Sequence, residues 1–274
     1  MLFSNVLVGS LIATAAYAFP TARERLNART ARRASSALHP EVVTFDASTA
    51  PRAKFSSRPK ISNATHDEYS SNWGGAVLSE GAGTWTGVTG TFTVPVPSEP
   101  SGDTAGWASA SAWVGIDGDT CGSAILQTGV DFTIQNGAVS YDAWFEWFPD
   151  AASDFSGFVI RAGDTITATV TASSANQGVA SIWNQNTGVE VIANIGNAHA
   201  LCQQDAEWIV EDFEENGGMV PFANFGTVTF NSASATKNGG STVGPSGATV
   251  IDIYQNQQLT STSIGGSSVT VSYI

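Results

Sequence analysis

The chain has 274 residues, a formal net charge of −13, only 13% charged side chains and 28 glycines. That composition excludes a coiled coil and a disordered chain, and it points to a β-rich, turn-rich protein of one or two domains. Nine of the eleven Lys and Arg lie before residue 61, whereas from Thr65 onward only Arg161 and Lys237 face 21 Asp and Glu, a net of −19. A segment this acidic does not bind nucleic acid through backbone charge.

Met1 to Ala18 carries an apolar run, Val6 to Ala16, that ends in Ala16-Tyr17-Ala18. The run is too short to span a bilayer, and its small-residue end fits a signal-peptidase site, so a secreted, extracellular protein is expected. The absence of Lys and Arg before the run departs from the usual signal pattern. No later run is long enough for a transmembrane helix, and no membrane partner is expected.

Residues 19–66 differ in kind. Between 19 and 64 there are nine basic and three acidic side chains, a net of +6, and Pro40, Pro51 and Pro59 interrupt the second half. So few apolar residues offer little core. The segment reads either as a flexible tail or as a propeptide docked by charge on the acidic part. Arg32-Arg33 is a dibasic pair, and Asn63-Ala64-Thr65 is a glycosylation sequon near the junction. Residues 67–274 then form the folded domain, expected to be a monomer.

Within it, DEYSSNWGGAVL opens at Asp67, and Trp85 to Pro97 alternates and ends in prolines, as a strand with a stop. Ser98 to Ala110 is a loop by composition. In WVGIDGDTCGSAILQTGVD, residues 113–131, two apolar runs flank a turn made of Asp117, Gly118, Asp119, Thr120, Cys121 and Gly122. Strand side chains alternate between faces, so Trp113, Gly115 and Asp117 share one face, and Ile125, Gln127, Gly129 and Asp131 share another. By position alone, Gln127 is an ordinary solvent-facing strand residue.

Tyr141 to Asp150 places Asp142, Trp144, Glu146 and Phe148 on one face and Phe145 and Trp147 on the other, so both faces are covered. Alternating segments follow at 158–173, 179–184 and 189–195. In AEWIVEDFEE, residues 206–215, Glu207, Ile209, Glu211 and Phe213 lie opposite Trp208, Val210 and Asp212. Further alternation marks 220–236, 248–255 and 268–274. No segment after residue 60 keeps a helical period over three turns. The expected fold is all-β, an antiparallel two-sheet β-sandwich. Cys121 and Cys202 in a secreted chain most simply form one disulfide, with two free thiols as the alternative. Closing a loop of about 80 residues is worth roughly 4 to 5 kcal/mol at most in the chain-entropy model.

The blocks WVGIDGDTC, ILQTGVDF, YDAWFEWFPD and AEWIVEDFEE resemble, in that order, those of the fungal glutamic peptidases (eqolisins), over about Glu68 to Ile274. The resemblance implies a concanavalin A-like sandwich with the active site on its concave face, made as a precursor and acting on polypeptides. It also implies the catalytic pair, Gln127 from the ILQTG block and Glu211 before DF. Trp73, Trp113, Asp117, Glu146, Phe148 and Phe213 fall at positions that line the cleft in that family, although a Trp in a sandwich is as often core.

The residues themselves are consistent with this chemistry. His199 is the one clear His of the folded part, and no G-x-S-x-G element supports a triad around it. HExxH is absent, the Cys spacing is not a zinc pattern, and Asp119-Thr120 runs into Cys121 rather than into the D-T-G of aspartic peptidases. No metal or cofactor is expected. A Glu can act as general base for water, and a Gln carboxamide can orient that water and donate to an oxyanion. The alternatives are a secreted glycan hydrolase using Glu146 and Glu211, or a carbohydrate-binding sandwich, since this type of fold hosts both.

Overall fold

The computed structural model describes residues 67–102, 105–215 and 218–274. The signal-peptide, propeptide and sequon readings on residues 1–66 lie outside the described residues. Eighteen strands follow one another among the described residues, with no helix. They are β1 (Asp67–Ser70), β2 (Trp73–Ser79), β3 (Trp85–Thr93), β4 (Trp107–Ile116), β5 (Ile125–Gln135), β6 (Ala138–Phe148), β7 (Ser153–Asp154), β8 (Thr165–Ser174) and β9 (Gln177–Asn184). The rest are β10 (Val189–Gly196), β11 (Asp205–Glu211), β12 (Glu214–Glu215), β13 (Gly218–Met219), β14 (Thr227–Lys237), β15 (Thr242–Val243), β16 (Thr249–Ile253), β17 (Thr260–Ile264) and β18 (Ser268–Tyr273).

Two large sheets form the sandwich. The first runs β1-β16-β2-β11-β4-β5-β6-β7, and the second β10-β9-β8-β3-β14-β18-β17, with β15 paired to β14. The expected purely antiparallel pattern needs one correction: β1 runs parallel to β16. The cause is local. The chain reverses between β1 and β2, and β16 inserts between these two arms, antiparallel to β2 and so parallel to β1. A second correction concerns the loop expected at 98–110, whose last residues already belong to β4.

The main core lies between the sheets. It is built from the inward residues of period-two strands, such as Val114, Leu126, Phe132, Ile166, Val170, Ile182 and Phe230. Trp208 of β11 ties the two layers, because its indole N–H donates to the Thr89 carbonyl of β3 at 2.9 Å. Gly90 makes the room: a Cβ there would sit 3.1 Å from the Trp208 ring.

The first sheet is apolar on its other face too. Trp73, Val77, Trp113, Ile125, Trp144, Ile209 and Ile251 form a second cluster there, with Phe148 packed on it. This explains why β4 and β11 are buried along nearly their whole length. The Cys121–Cys202 disulfide is formed, with Cα atoms 6.1 Å apart, and it joins the turn after β4 to the approach to β11.

Candidate active site

Strand register sets out the site on the outer face of the first sheet. Directly paired residues of antiparallel strands share a face. One row therefore runs Glu207, Gly115, Gln127, Glu146 across β11, β4, β5 and β6. The next runs Ile209, Trp113, Gly129, Trp144. The third runs Glu211, Ser111, Asp131, Asp142, with Trp73 of β2 paired to Glu211 on its other side. Two rows of acids and carboxamide are thus divided by a row of indoles, and most of these side chains are deeply buried.

Trp113 is the hinge of the arrangement. Its indole N–H donates to Glu211 Oε2 at 2.9 Å. The far edge of its ring lies over Gly115, where a Cβ would be 2.9 Å from Trp113 Cζ3 and 3.4 Å from Gln127 Cβ. One rigid side chain therefore spans from the Glu211 row to the Gln127 row. Trp73 packs edge-on against it, ring centroids 5.0 Å apart. Gly129 is required beneath the indoles, since a Cβ there would come within 2.5 Å of Trp113 Cβ and 2.4 Å of the Ala112 carbonyl.

Glu211 is 3% exposed, and its second oxygen faces Asn72 Nδ2 at 3.5 Å, the outer limit of a hydrogen bond. Asn72 is placed by the turn between β1 and β2, where its Oδ1 accepts from Ser70 Oγ at 3.0 Å and its backbone N–H donates to Ser70 Oγ at 3.2 Å. Gln127 is 5% exposed, and its Nε2 donates to Glu146 Oε2 at 2.7 Å. A primary amide has two N–H bonds, so this contact orients the carboxamide and leaves the second free to donate.

Asp117 is placed differently from a cleft-lining group. It is fully buried at the end of β4, in a left-handed conformation (φ 68°) that Asp tolerates. Its carboxylate accepts the backbone N–H groups of Gln203 and Gln204, both at 2.8 Å, and of Asp205 at 3.2 Å. Asp205 reciprocates by accepting from the Thr120 amide and hydroxyl and the Cys121 amide. These two acids clamp the disulfide-linked turns. Burial pushes the Asp117 carboxyl up, against the three amides that pull it down.

Phe148 closes β6 opposite Ile125 and packs on the outer cluster. Phe213 is buried just beyond the end of β11. Four neighbours were not singled out from sequence. Asn72 carries no periodic signal in a polar turn. Trp144 and Asp131 were visible by alternation, and the Trp144 indole donates to Asp131 Oδ1 at 2.7 Å. Glu207 shares the Glu211 face by simple counting.

The Peptidase A4 family profile matches residues 71–273. The chain is 49% identical to aspergillopepsin-2 of Aspergillus niger over the full length of both. It is 42% identical to scytalidopepsin B of Scytalidium lignicola over 77% of this chain and 81% of that one. Among solved structures, scytalido-glutamic peptidase with a peptide-based transition-state analog superposes with a TM-score of 0.66 at 42% identity, covering 74% of this chain and 98% of that one. The chain belongs to the Peptidase A4 family and is a peptidase.

Proposed function

We propose that the protein is a secreted, pepstatin-insensitive acid endopeptidase in which Glu211 and Gln127 act as one unit on a bound water. The observation that supports this most is Trp113, which holds Glu211 with its N–H and reaches the Gln127 row with its ring. In this reading Glu211, ionised, removes a proton from water as the water attacks the scissile carbonyl. The proton then passes to the leaving amine. Gln127 donates its second N–H to the developing oxyanion and orients the water. Glu146 sets the direction of the Gln127 carboxamide. Trp113 and Trp144, with Trp73 packed edge-on against Trp113, keep bulk water from the pair.

The basic residues 19–66 act as a propeptide on the acidic domain, and acid releases them by protonating its carboxyls. The enzyme works as a monomer on polypeptides. The glycan-hydrolase and carbohydrate-binding alternatives have no support comparable to 49% identity with a peptidase over the full chain. The test is digestion of casein or haemoglobin at about pH 3 with pepstatin present. Cleavage that pepstatin leaves intact supports the reading, and abolition by pepstatin contradicts it.

A further inference from the structure

Glu207 is a buried carboxyl that the mechanism above leaves idle. It is 0% exposed in mid-strand of β11, and neither of its oxygens makes a well-formed hydrogen bond, the Asp119 amide N–H being only a weak donor to it. Such a group adds nothing to stability, and a hydrophobic residue of the same size would serve the fold better. Unsatisfied buried polar groups in native proteins call for a functional explanation.

Its position supplies one. Glu207 pairs with Gly115, which pairs with Gln127, all on one face. Residue 115 has no side chain, and the edge of the Trp113 ring reaches over it, 2.9 Å from where a Cβ would stand. The site where a Cβ would stand is 3.4 Å from Glu207 Oε2 and 3.4 Å from Gln127 Cβ. The two side chains thus converge on Gly115 from either side, beneath the edge of Trp113. The Gln127 Oε1 is buried and also lacks a partner. An amide oxygen needs a donor, and a protonated carboxyl is one.

We propose that Glu207 is a positioning residue: carrying its proton, it donates across Gly115 to the Gln127 carbonyl, directly or through one water. Together with Glu146 on the amide nitrogen it fixes which way the carboxamide faces. The inference rests on the reading of Gln127 as oxyanion donor. The surroundings keep the proton on Glu207: burial acts first, then the carboxylates of Asp205 on the same strand and of Asp119 and Asp117 in the turn after β4. The Asp119 amide N–H offsets this only in small part. Across the sheet it faces Gln127 and Glu146, and on β2 the neutral Val77. No basic group is among these neighbours. When Glu207 ionises, the donor is lost and a negative charge confronts the amide oxygen, so kcat falls while the fold persists.

The test compares kcat and KM against pH for wild type, Glu207→Met, Glu207→Gln and Gln127→Ala, with circular dichroism to confirm folding. Glu207→Met keeps the volume and removes the donor, and it should lower kcat about tenfold or more with KM within about twofold. Glu207→Gln donates at every pH, so it should recover most of that loss and move the alkaline limb upward by about one pH unit or more. A folded Met variant with wild-type kcat and an unmoved alkaline limb overturns the proposal. If the Met variant does not fold, an unmoved limb in the Gln variant overturns it alone. An active Gln127→Ala would instead sink the underlying reading of the pair, whereas an inactive Gln127→Ala beside an unaffected Glu207→Met sinks this inference only.

Discussion

At the scale of residues, Trp113 does two things that no other indole could do from its position. It donates to Glu211 Oε2 at 2.9 Å and lays its ring between Glu211 and Gln127. Phe at 113 would keep the packing against Trp73 but lose the donor. A hydrogen bond to a charged group is worth about 1.5 to 3 kcal/mol, so Trp113→Phe should lower kcat/KM by about tenfold or more, with the loss mainly in kcat. Steady-state kinetics on a folded variant checks this; a change confined to KM would mean the indole only touches substrate. Asp117 shows how position alone misleads. Counting places it on the Trp113 face, but the backbone turns left-handed there and three amide N–H groups take its carboxylate.

At the scale of elements, the outer face of the first sheet depends on glycines where indoles cross strands. A methyl at Gly129 would meet the Ala112 carbonyl and the Trp113 backbone, neither of which can swing aside. Gly129→Ala should therefore destabilise by about 3 kcal/mol or more. Urea melts at acid pH measure it, and a loss under about 1 kcal/mol would show that β4 and β5 can slide apart there. Strands were legible in the sequence where β-branched and aromatic residues alternate with polar ones, as in β3, β8 and β18. They were hidden where the alternation lacks contrast. The first half of β4 reads WASASA, whose Ala residues are fully buried although they look like loop, and β17 reads TSTSI. Gln127 and Glu211 were legible only through the family resemblance of their blocks, since alternation alone makes Gln127 an ordinary solvent-facing residue whereas the fold buries it. Asn72 was not, because a turn has no period and its place depends on β16 threading between β1 and β2.

At the scale of the molecule, 21 acids from Thr65 onward face only Arg161 and Lys237. Lys237 is engaged far from the site, with Glu80 at 2.6 Å and over the Trp85 ring. Glu207 and Asp212 are held well above their ordinary 4.5 and 3.8, each mainly by burial, and Asp117 is raised as well. A raised folded pKa means that the native state keeps protons the unfolded chain gives up. Stability is then full below the ordinary carboxyl range and is lost as pH rises from that range through the higher folded values. Circular dichroism melts should show a lower melting temperature at about pH 7 than at about pH 4. Asp212→Asn should flatten that slope, since its oxygen still accepts from Gln255 but cannot ionise; an unchanged slope would assign the effect elsewhere. The central claim is that Gln127 and Glu211, from strands brought together by the whole fold, act as one catalytic unit. It is tested most directly by kcat/KM on a peptide for Gln127→Ala, Glu211→Gln and the double variant, all checked for folding. Each single should lose about a hundredfold or more, and the double should be little worse than the worse single. A folded Gln127→Ala within about tenfold of wild type, or losses that multiply in the double variant, would contradict it.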